Sequence, residues 1–97
     1  MQYILHSNPG LTVIVKDHAA FLRFCDKVNM NESECEFLDT NADRETPGKR
    51  HCYSVFAAKG LEFPEVLVFS DEMTKNQRIV SCTRAMEKLF YYERRDI

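Results

Sequence analysis

A chain of 97 residues is long enough for one folding unit and too short for a two-domain enzyme. Hydrophobic residues make up 44% and aromatic residues 11%, with three Gly and three Pro, which excludes a disordered or fibrous chain and allows a core. Thirteen Lys and Arg against fifteen Asp and Glu leave a formal charge of −2, so no overall basic field draws nucleic acid or an anionic membrane, and any such contact has to be local.

Residues 1–10 lack the basic start, long apolar stretch and small-residue cleavage site of a signal peptide and are expected to be loosely ordered, as are residues 93–97. Residues 11–15 (LTVIV) form a short, β-branched, continuously apolar run of the kind found in strands covered on both faces. Asp17 is a candidate N-cap for a helix whose Ala20, Phe21, Phe24, Cys25 and Val28 share one stripe of a 3.6-residue repeat. The opposite face, with Arg23, Asp26 and Lys27, is expected to be wet. A polar connector over 29–33 leads to a strand candidate at 35–38.

Residues 40–50 read as a mobile loop, with Pro47-Gly48 as its turn signal, and Lys49-Arg50-His51 is a small basic cluster expected to be solvated. The apolar runs 51–57 and 66–70 fit a buried strand pair joined by a structured connection over 58–65. Thr74 with Gln77 makes a capping box ahead of Ile79, Val80, Thr83 and Met86, which share one helical face, and 89–92 reads as a last strand. Strands alternating with helices predict a single three-layer α/β domain over 1–97. Its mostly parallel sheet of four or five strands lies between helices, with ligands expected at the carboxyl ends of the strands.

The cysteines at 25, 35, 52 and 82 form no C-x-x-C pair, and His6, His18 and His51 have no ligand spacing, which argues against a metal site. The thiols are expected to be free and buried, in a reducing, cytoplasmic setting with no membrane contact.

Two segments carry a chemical signal. Ala57-Ala58-Lys59-Gly60-Leu61-Glu62-Phe63-Pro64-Glu65-Val66 places a glycine, where backbone can approach a ligand, between a cation and a carboxylate. Val80-Ser81-Cys82-Thr83-Arg84-Ala85 places an arginine inside the last predicted helix. Each has an ordinary reading as well. Lys59 and Glu62 read singly are a solvated pair contributing about 0–1 kcal/mol, and Arg84 read singly covers the core with its aliphatic stem.

In combination and order, these motifs resemble the last two signature motifs of UvrD/Rep-type superfamily 1 DNA helicases, which lie in the second RecA-like domain. The resemblance is sharp over 52–69 and 78–91 and architectural over 11–50. It implies that Arg84 is an arginine finger for ATP held with magnesium by a first RecA-like domain carrying the phosphate loop. It also implies that Glu62 accepts a hydrogen bond from the ribose, that Gly60 lets backbone approach the cleft with Lys59 beside it, and that Ser54 and Thr83 lie near single-stranded DNA.

Phe56 stands where many relatives carry His, and Ile79 stands where an aromatic is common. No G-x-x-x-x-G-K-[ST] loop occurs, no Asp-Glu magnesium pair lies in a strand, and Asp71-Glu72 falls after the Lys-Gly motif, where no magnesium site belongs. Two readings are therefore open: half of an ATP-dependent motor, inactive alone, or a helicase-derived interaction module with no catalytic role.

Overall fold

Continuous apolar runs cannot lie at a solvent face, and the computed structural model, which describes residues 2–40 and 47–92, places them inside a five-stranded sheet. The elements in chain order are α1 (Gln2–Ser7), β1 (Thr12–Val15), α2 (His18–Lys27), β2 (Cys35–Leu38), β3 (Arg50–Ser54), α3 (Val55–Ala58), β4 (Phe63–Phe69), α4 (Lys75–Cys82) and β5 (Ala85–Tyr92). The strand order is β2-β3-β1-β4-β5 and every pairing is parallel. The expected three-layer α/β architecture is therefore present.

Alternation along the strands divides the core between the two faces. Val13, Val15, Cys52, Leu67 and Phe69 pack with Leu5 of α1 and with Ala20, Phe21, Phe24 and Cys25 of α2. Ile14, Tyr53, Val66 and Val68 point the other way, onto Ala57, Ala58 and Met73. Asp17 caps α2 as predicted, accepting the Ala20 N–H at 2.9 Å. The capping box of α4 is complete: Gln77 donates its N–H to Thr74 Oγ1 at 3.2 Å, and the Thr74 N–H donates to Gln77 Oε1 at 3.0 Å.

Several boundaries differ from expectation. Within 1–10, residues Gln2–Ser7 form a helix whose Leu5 is buried. The cause is Arg50, which is not a solvated loop residue. Its Nη1 donates to the carbonyls of Asn8 and Leu11, and its Nη2 to that of Leu5, stitching α1 to the start of the sheet. Burial lowers its pKa.

The apolar run 51–57 is strand only to Ser54 and helix thereafter, because strand and helix are both buried there and apolar content does not separate them. The last helix ends at Cys82, and Met86, though in helical phase with Ile79 and Val80, belongs to β5, where pairing with β4 overrides the period. Residues 41–46 of the predicted loop and the tail 93–97 lie outside the described residues.

Candidate functional site

α3 has only four residues, so the chain leaving β3 returns to the amino edge of the sheet almost at once. It turns there through Ala58-Lys59-Gly60-Leu61. The Leu61 N–H donates to the Ala58 carbonyl at 2.9 Å, Lys59 has φ −61° and ψ 123°, and Gly60 has φ +84°, the geometry of a type II turn. A Cβ added at Gly60 would meet nothing within 4 Å, so the glycine is required by its dihedral and its outer side is open. Lys59, Leu61 and Glu62 are exposed around it. Phe63 then enters β4 with its ring 4.9 Å from that of Tyr53.

Arg84 follows the C-cap of α4 and does not lie mid-helix. Its carbonyl accepts the Phe63 N–H at 2.8 Å, and its Nη1 donates to the Leu61 carbonyl at 3.3 Å. Its Nη2 donates to Thr83 Oγ1 at 3.1 Å, and that hydroxyl donates onward to the Val80 carbonyl at 2.8 Å. Arg84 Nε is buried and has no hydrogen-bond partner. Two segments separated in sequence thus meet at one place, with the arginine head resting on the glycine turn.

That place is the amino edge of β4 and β5, not the carboxyl edge where ligands were expected. Register explains the difference. Ser54 stands level with Val15, and Phe63 lies about six residues of strand, roughly 20 Å, toward the opposite edge. Ser54 is buried at the carboxyl end of β3, its hydroxyl accepting the Ala57 N–H at 3.0 Å as the N-cap of α3. The structure therefore brings together Lys59, Gly60, Glu62, Thr83 and Arg84 and leaves Ser54 at the far edge. Beside Phe63 and Pro64, a cavity of about 330 Å³ runs along the amino edge to Lys49 and His51.

At the carboxyl edge, Asp71 is buried and ion-paired with Arg23 Nε at 2.5 Å, so Arg23 is not simply wet. Sequence reading missed this pair, since nothing local links residues 48 positions apart. It also missed the Thr83 hydroxyl as a partner of Arg84, for which the Thr-Arg step from a helix end into a strand was the available signal. Cys25, Cys35 and Cys52 are buried free thiols and Cys82 is half-buried. Burial pushes Cys25 from 9.0 to about 11 and Cys52 well up. Among the described residues no group of three or more His, Cys, Asp or Glu could hold a metal ion, and no helix is long and apolar enough to cross a membrane.

The fold has a counterpart among solved structures. The chain is similar to the C-terminal domain of a possible DNA helicase from Lactobacillus plantarum WCFS1, with a TM-score of 0.65 and 24% identity over 93% of the present chain. It spans 60% of that domain's length. The likeness establishes a shared α/β fold. The sequence matches no protein-family profile and no curated protein.

Proposed function

We propose that the chain is the second, arginine-bearing half of a superfamily 1 helicase motor of UvrD/Rep type, presenting Arg84 to the terminal phosphate of ATP held by a first RecA-like domain. The observation that supports this most directly is the seating of Arg84. Its guanidinium rests on a neutral carbonyl of an exposed glycine turn and keeps one donor, Nε, without a partner. A charged phosphate oxygen is the stronger acceptor, so the head has cause to exchange Leu61 for the nucleotide when the two domains close. The planar fork suits phosphate geometry in a way that lysine does not.

Glu62, exposed just after the turn, is in this reading the acceptor for a ribose hydroxyl, and Lys59 adds a cation beside it. The described residues hold no cluster for magnesium, so in this reading the metal and the phosphate loop come from the partner domain. Nucleotide bound there supplies the transferring phosphoryl group; this chain's part is to bring positive charge to it at a fixed place. Ser54, which the resemblance assigns to the backbone of single-stranded DNA, is buried at the opposite edge with its hydroxyl on the Ala57 N–H, so a DNA contact there requires α3 to move, and the Thr83 hydroxyl is already engaged with Val80 and Arg84.

The test is ATP turnover by the chain assembled with a phosphate-loop domain, with and without Arg84→Ala. Loss of about 10³-fold or more is the expected result for an arginine finger. Turnover unchanged by the substitution removes the proposal.

A second reading, an interaction module without a catalytic role, is favoured by Phe56 at 70% exposure and Ile79 at 53%, apolar side chains where the resembled family carries His and often an aromatic. Titration of labelled single-stranded DNA at rising salt separates the two. Binding that weakens steeply favours the motor, and a flat response favours the module.

A further inference from the structure

We infer that Thr83 is a positioning residue for Arg84, its hydroxyl forming one jaw of a clamp whose other jaw is the Leu61 carbonyl of the Gly60 turn. The inference rests on the reading of Arg84 given above and concerns how that side chain is held ready.

The clamp follows from three contacts. Thr83 Oγ1 gives its single hydrogen to the Val80 carbonyl at 2.8 Å, which leaves only lone pairs facing outward. Arg84 Nη2 donates into that oxygen at 3.1 Å, while Nη1 donates to Leu61 at 3.3 Å. A guanidinium is planar and rigid, so fixing both terminal nitrogens fixes the plane of the whole head, including the buried Nε. Two features make the jaws stiff. Threonine is β-branched and restricted at χ1, and the Leu61 carbonyl is set by a turn whose Gly60 has φ +84°.

The arrangement assigns Thr83 a different task from the DNA contact that the family resemblance implies. Its hydroxyl hydrogen, the group a phosphate oxygen would need, is already given to Val80. The Arg84 backbone is pinned as well, because its carbonyl accepts the Phe63 N–H at 2.8 Å. Side chain and main chain of Arg84 are thus both tied to the segment that follows Gly60.

The test is solvent exchange of the Arg84 Nε–H in the isotope-labelled 97-residue chain, compared among wild type, Thr83→Val and Thr83→Ser. Valine keeps the shape and removes the hydroxyl, so exchange is expected to quicken about tenfold, the loss of one hydrogen bond to a charged group. Serine keeps the hydroxyl and is expected to hold exchange close to wild type. If valine and wild type exchange alike, the proposal is overturned. Thr83→Ala, which removes the hydroxyl without apolar bulk, carries the same expectation and decides the matter if the valine chain does not fold.

In the assembled motor, Thr83→Val should lower turnover about tenfold with KM for ATP unchanged, and serine should restore it. Should Arg84→Lys leave turnover intact while the exchange difference stands, the nucleotide role of Arg84 fails and the clamp does not.

Discussion

The two faces of the sheet are built to different standards. On the α1–α2 side, Phe21, Phe24 and Phe69 are fully enclosed, and Phe24 meets Phe69 edge-on at 5.5 Å. Arg50 ties three carbonyls together at the margin of that face, and α2 runs ten residues from a side-chain cap. On the α3–α4 side the helices have four and eight residues, the buried side chains on α3 are Ala57 and Ala58, and Phe56 and Ile79 stand in solvent. The Gly60 turn and Arg84 belong to this lighter side. Phe21, Phe24 and Phe69 are thus the buried rings of the heavier face, against Tyr53 and Phe63 on the face that carries the candidate site.

The sharpest way to break that contrast is to cut into the heavier face. Phe24→Ala should lower unfolding free energy by about 3–5 kcal/mol in urea titrations, and Met73→Ala on the other face should cost less. Equal costs would mean that the faces do not differ.

Alkaline pH probes the same side by titration. Cys25 and Cys52 are held neutral by burial, with Cys25 raised from 9.0 to about 11. The unfolded chain releases these protons near the ordinary thiol value and the folded chain keeps them. Stability is therefore full below pH 9.0 and falls as pH rises toward 11. The loss from Cys25 is about 1–3 kcal/mol, measured as a falling urea midpoint. Cys25→Ala should flatten that slope more than Cys82→Ala, since Cys82 is only half-buried.

The smallest effect is on the site side. Gly60→Ala introduces no clash, since its Cβ meets nothing within 4 Å, and should cost only the strain of φ +84°, about 1–2 kcal/mol in thermal melts. Gly60→Asn should cost less, because asparagine tolerates that region.

Features decided within a few residues were legible in the sequence. Asp17 and the Thr74–Gln77 pair mark helix starts because a side-chain oxygen meets a backbone N–H only three residues on. The run before Lys16 reads as a covered strand because every residue from Leu11 to Val15 is apolar or β-branched, and all five are buried. What distance decides was not legible. Ser54 ends a strand and begins a helix inside one apolar run, and the choice depends on where β1 stands beside it. Arg23 looks solvated until Asp71 arrives from the end of β4. The meeting of Arg84 with the glycine turn was foreseen, but not its edge of the sheet, because that depends on α3 being a single turn long.

Uniform parallel pairing has a cost in time. Val13 finds its partners only at Cys52 and Leu67, so during synthesis the future centre of the sheet emerges first and waits, oily and unpaired, for segments not yet made. Folding of such a topology belongs at the slow end for small domains, and the nascent chain is most exposed to misassembly while β1 stands alone.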